Sequence, residues 1–404
     1  MPITLVSARP RSGLVTLPWH LPLEEWPDEL DVSLPRGIHR HVVRFVRIDG
    51  VVVVVKETTE HYARREYTLL RDLRRLDLPA VEPVAYVTGR TTRAGAELPS
   101  AIVTRHLPRS LPYRSLFEHP LSDNTLEAVV DAMVVLLVRL HINGFFWGDC
   151  SLSNTLFRRS ADEFAAYLVD AETGALHETL SPGQRGEDLD LVRTNVFGEL
   201  LDLQAAELLA PTIEPLELVD HVIERYDALW DALTGVEEFS TAEMWRIEQR
   251  IEQLNDLGFD VGELDIVTDF DGDSVRIQPR IVEPDHHARR LQGLTGLDLE
   301  EAQARRLLND LDAFASAHEL QNENSMVVAH RWLTEVWERL AAMIPPADRD
   351  IVEPAQFFHD VLVHRWHLSQ NAGHEVDLFA SAEDYLRTQL PHQVATLRAA
   401  AGTP

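Results

Sequence analysis

The chain contains almost no cysteine and no long apolar run. Cys150 is the only cysteine among 404 residues. A disulfide framework within the chain is therefore excluded, and a reducing, cytoplasmic compartment is the natural one. No apolar run approaches the ~20 residues that a membrane-spanning helix requires. The first 30 residues lack a basic region followed by an apolar core, so we predict neither a signal peptide nor a membrane span.

Positive charge is also scarce. The chain has 37 Lys and Arg against 66 Asp and Glu, which gives a formal net charge of −29. This balance argues against non-specific binding to nucleic acid or to an anionic membrane, because both depend on a positive protein surface. Hydrophobic residues make up 45% of the chain, so we expect a globular protein of two or three domains.

Lysine is the rarest charged residue: Lys56 is the only one in the sequence. Its ammonium group is a compact point charge that fits against phosphate oxygens, whereas the arginine guanidinium is a broad planar fork. A chain that meets its other cationic needs with arginine, yet keeps one lysine, favours a site at Lys56 that requires an ammonium.

Lys56 follows a predicted hairpin. His41–Ile48 is rich in β-branched residues, Asp49-Gly50 is a strong turn signal, and Val51–Val55 is the return strand that Lys56 ends. A strand, a turn and a strand ending in lysine form the first part of the N-lobe of a kinase fold. The preceding loop has only Gly37 rather than a repeated glycine pattern, so a phosphate-covering loop there is atypical.

The next segment is a predicted helix that begins after Thr58 or Thr59 and reaches Leu76. Glu66 lies on or beside its apolar stripe, so we favour Glu66 over Glu60 as the ion-pair partner of Lys56. The alternative for Glu66 is a solvent-exposed helical glutamate. The residues that define the stripe are Tyr62, Glu66, Leu69, Leu70 and Leu73.

Two more strands and a hinge complete the predicted N-lobe. Leu78–Val87 and Ser100–Thr104 read as strands on either side of a turn-rich insert. The hinge to the following lobe then consists of Arg105, His106 and Leu107, where an adenine ring commonly bonds backbone groups.

The most informative stretch lies near the middle of the chain. Asp149 is followed, after four residues, by Asn154, and Asp170 ends a later apolar run. The predicted strands Thr155–Phe157 and Tyr167–Val169 pair as a hairpin, which brings Asn154 and Asp170 to neighbouring strand ends. Amide and carboxylate oxygens are ligands that Mg²⁺ accepts together with phosphates. This is the layout of a phosphotransferase active site, although the same spacing alone also occurs in loops where Asx side chains cap local backbone.

Helices flank this stretch on both sides. A long apolar helix over Leu126–Asn143 leads into the Asp149 loop. A second helix is predicted over 187–203, where the carboxylates of Glu187 and Asp188 suit the positive end of the helix dipole. We interpret Asp190 as the residue that braces the catalytic loop backbone.

These motifs together resemble the lipopolysaccharide-kinase-like branch of the protein-kinase superfamily, whose catalytic loop has H-G-D in place of H-R-D. Trp147 stands where that pattern has histidine, and Ala171-Glu172 stands where eukaryotic kinases have Phe-Gly. The resemblance covers residues 30–210. It is carried by His141, Gly144, Trp147, Gly148, Asp149 and Asn154, together with Lys56, Glu66 and Asp170.

The resemblance implies ATP as phosphoryl donor and Mg²⁺ as metal. It implies Asp149 as the base and Asn154 and Asp170 as metal ligands. Lys56, paired with Glu66, would then contact the α- and β-phosphates, and the nucleotide would lie against Gly37 and the hinge formed by Arg105, His106 and Leu107.

The predicted fold class is α+β: a bilobal protein-kinase-like fold, with a small β-rich N-lobe and a helical C-lobe, followed by a mostly α-helical domain. The expected divisions are an N-terminal extension (1–30), the N-lobe (31–107), the C-lobe (108–215) and the helical domain (216–395). The last of these resembles a domain of unknown function that follows lipopolysaccharide-kinase-like halves in actinobacterial proteins. Its predicted helices are 298–318, 325–343, 355–370 and 382–390.

Two patterns in this last region suggest metals, and neither is favoured. His364 and His367 share a helix face, but packing with Trp332 and Trp366 is the better interpretation. The Asp269/Asp271/Asp273 cluster resembles part of a calcium loop but lacks the glutamate at the twelfth position, so we predict a solvated hairpin turn.

The predicted function is an ATP- and Mg²⁺-dependent phosphotransferase that acts on an acceptor hydroxyl with Asp149 as base. Its partners are a nucleotide and an acceptor, either a small molecule or a protein, that the sequence does not name. The alternative is an inactive pseudokinase or nucleotide-sensing scaffold that binds a protein partner through its C-terminal domain. The complete set of catalytic residues favours the enzyme, whereas the single Gly37 and the unusual Trp147 favour the scaffold.

Overall fold

The structure of the protein is a computed structural model. The chain divides into two compact units, of which the first spans 1–158 and 166–226 and the second spans 159–165 and 227–400. No helix within the described ranges is long and apolar enough to cross a membrane. The structure describes residues 3–9, 11–32, 42–117, 121–160, 163–235, 237–240, 259–268, 274–284, 286–320, 323–372, 374 and 376–400.

The first unit begins with an antiparallel five-stranded sheet in the order β1-β4-β5-β3-β2. The hairpin between its second and third strands turns at Asp49 and Gly50, whose φ angles are 49° and 80°. Both residues are in the left-handed region that a two-residue hairpin turn requires, which confirms the turn prediction. The strands are β1 (Thr4–Ser7), β2 (Val43–Ile48), β3 (Val51–Thr58), β4 (Pro83–Thr88) and β5 (Ser100–Arg105).

The N-terminal residues belong to this sheet. The predicted N-terminal extension (1–30) contributes a strand to the sheet, because β1 pairs with β4, and a short helix, α1 (Ser12–Thr16), follows it. Trp19 and Trp26 are buried and pack edge to face, with ring centroids 5.2 Å apart. A strand of four residues is too short for its alternation to be distinguished from loop sequence.

Helix α2 (Glu60–Arg75) packs on this sheet and begins at Thr59, whose hydroxyl accepts a hydrogen bond from the backbone of Tyr62. The start of the helix was predicted correctly. The predicted stripe is shifted, because Tyr62 is 40% exposed. The buried face consists of Ala63, Glu66, Tyr67, Leu70 and Leu73.

The remainder of the first unit is mainly helical. The hairpin of β8 and β9 adds β6 to form a three-stranded sheet, and β7 pairs with β10. The elements are β6 (Ser110–Pro112), α3 (Tyr113–Phe117), α4 (Asp123–Ile142), β7 (Phe145–Phe146), β8 (Thr155–Ser160), β9 (Glu163–Leu168), β10 (Ala175–Leu176), α5 (Pro182–Ala205) and α6 (Pro215–Thr234).

Helix α5 begins earlier than predicted. Ser181 and Gln184 form a capping box with Pro182 in the first turn, and this satisfies the free backbone amides at the helix start. The first turn therefore contains no acidic residue, and the prediction that Glu187 and Asp188 lie there is wrong. Both lie more than one turn inside the helix, beyond the range of the helix-end charge.

The second unit combines a three-stranded antiparallel sheet, in the order β11-β13-β12, with helices. The Asp269/Asp271/Asp273 cluster lies outside the described residues. The elements are β11 (Glu237–Ser240), β12 (Phe259–Thr268), β13 (Ser274–Pro284), α7 (His286–Thr295), α8 (Glu301–Ala317), α9 (Ser325–Trp332), a π-helical segment (Leu333–Trp337), α10 (Glu338–Ala342), α11 (Pro354–Ala372), α12 (Leu378–Thr388) and α13 (Leu390–Ala400).

The helical core of the second unit is aromatic. Trp332, Trp337 and Phe358 pack against one another, with centroid separations of 5.7 to 6.3 Å. The expected packing of the histidines with Trp366 is found for His367, whose ring lies edge to face with Trp366 at a centroid distance of 4.8 Å. The Trp366 side chain is nevertheless 56% exposed. His364 pairs with Asp384 at 2.9 Å, which holds its ring against α12.

Candidate functional site

Lys56 lies within β3 rather than at the predicted strand end, because β3 continues for two residues beyond it. Lys56 is in register with Ile102 of β5. Its Nζ atom is 2.8 Å from the carboxylate of Glu66, which is 2% exposed. The rival Glu60 instead pairs with Arg64 on the exposed face of α2, as the helical spacing indicated.

Two further carboxylates meet Lys56 from the segment after β9. Asp170 Oδ2 lies 2.7 Å and Glu172 Oε2 lies 3.4 Å from Nζ. The backbone amide of Glu172 also donates to Asp170 Oδ1 at 3.0 Å. Carboxylate oxygens of Glu66, Asp170 and Glu172 all lie within 4.8 Å of one another, so one ammonium group faces three acidic side chains.

This charge arrangement shifts the pKa values of Lys56 in β3 and Glu66 in α2. Burial alone would lower the pKa of Lys56, but the charges of Glu66 and Asp170 outweigh it and raise that pKa above its usual value. Burial raises the pKa of Glu66 to about 8, and Asp170 acts in the same direction while Lys56 opposes it. The site therefore favours the charged form of Lys56.

The predicted catalytic pair lies in one loop. The side-chain amide of Asn154 donates to the Asp149 carboxylate at 3.0 Å and to the Asp149 carbonyl at 2.9 Å. Because the amide nitrogen has two hydrogens and both point at Asp149, the Asn154 oxygen is left as the acceptor of that side chain. The backbone of Val169, next to Asp170, donates to the Asn154 carbonyl at 3.0 Å, so the two strand ends are neighbours as predicted.

Trp147 links the loop to the Asp170 segment. Its side chain is fully buried, and its indole N–H donates to the Asp170 carbonyl at 2.9 Å. The hydroxyl of Thr173 donates to the Trp147 carbonyl at 3.0 Å. The indole therefore fixes the segment that carries Asp170. The adjacent Gly148 has a φ of 76°, a conformation that favours glycine.

Asp188 holds the loop backbone, not Asp190 as predicted. Its two carboxylate oxygens accept the amides of Trp147 and Gly148 at 2.7 and 2.9 Å. Asp188 is fully buried and also bonds His141 at 3.1 Å, whereas Asp190 is exposed on the other side of α5. The helical phase of α5 decides this, because Asp188 lies one turn before the buried Val192.

Two backbone amides of the predicted hinge donate hydrogen bonds to other backbone groups of the protein. The amide of Arg105 donates to Glu82 at 2.8 Å and that of His106 donates to Val52 at 3.0 Å. The ring of His106 packs on Phe45, and burial lowers its pKa. Their role in nucleotide binding stays a prediction, as does that of Leu107. Gly37 lies outside the described residues.

The structure thus brings Lys56, Glu66 and Asp170 together, and it joins Asn154 to Asp149. Carboxylate and amide oxygens are suitable donors for a hard divalent cation. Four side chains that were not predicted contact these residues or the backbone of the loop that carries Asp149: Glu172, Asp188, Asn195 and Glu199. Asp188 lies on the buried stripe of α5, and Asn195 and Glu199 are partly buried beside it. Polar residues on or next to a buried stripe were the signal for them.

Two family models match parts of the chain. Residues 53–207 match the family model described as the lipopolysaccharide kinase (Kdo/WaaP) family. This part of the chain is lipopolysaccharide-kinase-like. Residues 228–390 match a domain of unknown function, DUF4032. The resemblance predicted for both halves is confirmed, and with it the bilobal kinase-like fold followed by a mostly helical domain.

A solved structure of WaaP in complex with acyl carrier protein is similar at 19% identity and a TM-score of 0.36. The match covers 63% of this chain and 99% of that one. The comparison with curated proteins found no match.

Proposed function

We propose that the lipopolysaccharide-kinase-like part of the chain is an ATP- and Mg²⁺-dependent phosphotransferase that phosphorylates an acceptor hydroxyl. The observation that carries the proposal is the convergence on Lys56 of Glu66 from α2 and Asp170 from the segment after β9. Three separate parts of the chain contribute to this contact, which surrounds a partly buried lysine with carboxylates. Phosphoryl transfer depends mainly on positioning and charge stabilisation, which such a cluster supplies.

In this proposal Asp149 accepts the proton of the acceptor hydroxyl. The two amide hydrogens of Asn154 hold the carboxylate and the backbone of Asp149, so the base is oriented before the acceptor binds. Pre-orientation lowers the entropic part of the barrier. Lys56 would contact the phosphates of the nucleotide, and Glu66 would keep its ammonium in place.

Asn154 and Asp170 would hold Mg²⁺, and Glu172 is close enough to Asp170 to join them. The donor set fits the ion, because it consists of carboxylate and amide oxygens. Bound Mg²⁺ would neutralise charge on the transferred phosphate. The residues of the chain contribute orientation of the base and a fixed ammonium group.

The test is thermal unfolding with and without Mg-ATP, for the wild type and for Lys56→Met. A ligand that binds only the folded state at a hundredfold excess over its Kd stabilises that state by roughly 2.7 kcal/mol. We expect a magnesium-dependent rise in Tm that Lys56→Met abolishes. Arg64→Met is the matched control, because it removes an exposed cation of α2 and should keep the rise.

ADP release in the presence of candidate acceptors then tests transfer itself. Binding of Mg-ATP without ADP release from any hydroxyl acceptor or from water would contradict the enzyme and favour a nucleotide-sensing scaffold. No rise in Tm in the wild type would contradict a nucleotide site altogether.

A further inference from the structure

One face of α5 contacts the loop that carries Asp149 along most of its length. Asp188 accepts the amides of Trp147 and Gly148. Two turns further along the helix, the Asn195 side chain reaches Asp149, and one turn beyond that Glu199 reaches the end of the loop. The spacing of seven and then four residues places the three side chains on one face of the helix.

Asn195 makes the contact closest to the proposed chemistry. Its amide nitrogen donates to Asp149 Oδ1 at 3.1 Å and to the Cys150 carbonyl at 3.2 Å. Asn154 binds the other carboxylate oxygen, Oδ2, at 3.0 Å. Each oxygen of the Asp149 carboxylate therefore accepts an amide hydrogen from a different element, and rotation of the carboxylate would break at least one of these bonds.

Glu199 fixes the loop on the far side of Asp149. Its two oxygens accept the backbone amides of Leu152 and Ser153 at 2.6 and 3.0 Å. Burial raises the pKa of Glu199, while these hydrogen bonds oppose that shift. With Asp188 on one side and Glu199 on the other, the loop backbone is held at both ends, and Asn195 lies between them.

We propose that Asn195 is a positioning residue that fixes the orientation of the Asp149 carboxylate from α5. The inference rests on the proposed function, because it assigns Asn195 a role only through Asp149. Asn195 touches neither acceptor nor nucleotide in this proposal. Its loss should therefore lower kcat and leave nucleotide binding intact, since only the geometry of the base is changed.

Three variants separate the hydrogen bond from simple packing. Asn195→Ala removes the donor and the side-chain volume. Asn195→Asp keeps the shape and removes the N–H donor. Thr194→Ala is the control, because Thr194 is exposed on the neighbouring position of the same helix and bonds only local backbone.

We expect Asn195→Ala and Asn195→Asp to lower kcat about tenfold or more, while the KM for ATP and the Mg-ATP-induced rise in Tm stay within about twofold of the wild type. Thr194→Ala should keep wild-type kcat. Equal kcat for Asn195→Ala and Thr194→Ala would overturn the proposal. A fall in kcat that is matched by a loss of Mg-ATP binding would also overturn it, because the defect would then be general.

A double-mutant cycle in urea unfolding supplies a readout that needs no turnover. If Asn195 acts on the Asp149 carboxylate, the effects of Asn195→Ala and Asp149→Asn on the unfolding midpoint should be non-additive. Additive effects would overturn the proposal. If the wild type releases no ADP at all, the proposed function fails, and this cycle alone still decides whether Asn195 holds Asp149.

Discussion

The Lys56 Nζ atom lies 2.8 Å from the Glu66 carboxylate. Lys56 belongs to β3 and Glu66 to α2, and the Glu66 side chain is almost completely buried. This contact selects Glu66 over Glu60, the other acidic candidate on α2. The structure places Glu60 beside Arg64 at the exposed start of the helix. Glu66 and Glu60 therefore allow a direct comparison between a buried and an exposed carboxylate that lie six residues apart on one helix.

The first prediction compares these two glutamates. Glu66→Gln removes the carboxyl group that contacts the Lys56 ammonium. The lysine should then shift toward Asp170 and Glu172 and no longer point at the phosphates. We expect kcat to fall about tenfold or more, and Glu60→Gln to change kcat less than twofold. Steady-state ADP release at saturating Mg-ATP measures both. Equal effects of the two changes would show that the ion pair has no part in turnover.

The second prediction separates the metal from the base. Asp170→Asn halves the carboxylate donor capacity at the proposed Mg²⁺ site, so the Tm rise with Mg-ATP should shrink to that seen with ATP and EDTA. Asp149→Asn should keep the magnesium-dependent rise and lower kcat by roughly a hundredfold or more, since it removes the general base. Unchanged magnesium dependence in Asp170→Asn would reject Asp170 as a ligand. Retained turnover in Asp149→Asn would reject Asp149 as the base.

The third prediction concerns Asp188, which holds the backbone of the loop that carries Asp149. Asp188→Ala leaves the amides of Trp147 and Gly148 without their acceptor inside the protein and also removes a partner of His141. Buried donors left unsatisfied cost about 1–3 kcal/mol each, so we expect a loss of about 2–5 kcal/mol in the free energy of unfolding. Asp190→Ala, on the exposed side of the same helix, should change it by less than about 0.5 kcal/mol. Urea unfolding of both variants is the measurement, and similar losses would contradict the assignment.

The parts of this site that could be predicted from the sequence are those in which a local rule determines where a residue lies. The hairpin turn at Asp49-Gly50 and the start of α2 follow from turn and capping chemistry. Glu66 was selected by helical spacing, and Asn154 and Asp170 were paired through adjacent strands. In each case the relevant neighbours are close in sequence, or the element has a strong period.

The missed residues depend on packing between elements far apart in the chain. Asn195 is 46 residues from Asp149, and no local pattern indicates which loop a helix face will meet. A helix that begins at Glu187 would place Asp188 in its first turn, as an acid that interacts with the helix end, and Asp190 would then be the residue available to bind the loop. The phase of the buried stripe, not the start of the helix, decides which acid faces the core.

The fourth prediction uses the single cysteine. Cys150 is fully buried, and burial together with the charges of Asp188, Glu199 and Asp149 raises the pKa of its thiol well above the usual value. Because the thiolate is the reactive form, the native thiol should react with a disulfide reagent at least ~100-fold more slowly than the unfolded chain at pH 8. Labelling with and without guanidinium measures this ratio. Fast native labelling would mean that the loop that carries Asp149 and Cys150 opens readily.

The last prediction concerns pH and the second unit. Burial alone would raise the pKa of Glu301, but hydrogen bonds from the His287 side chain and from the backbone of Ala288 and His287 outweigh it and lower that pKa below its usual value. A carboxyl group whose pKa is lowered by folding stabilises the protein at pH values above the pKa of the unfolded chain. This contribution is lost as the pH falls through the pKa of the folded state.

Glu301→Gln should therefore cost about 1–3 kcal/mol of unfolding free energy at about pH 7, and the difference from wild type should shrink as the pH falls below about 4. Glu338→Gln is the control, because Glu338 is exposed on α10 and should cost less than about 0.5 kcal/mol at either pH. Urea unfolding of the three proteins at both pH values makes the comparison. A Glu301→Gln effect that persists unchanged at low pH would show that Glu301 stabilises the unit by packing and not through its charge.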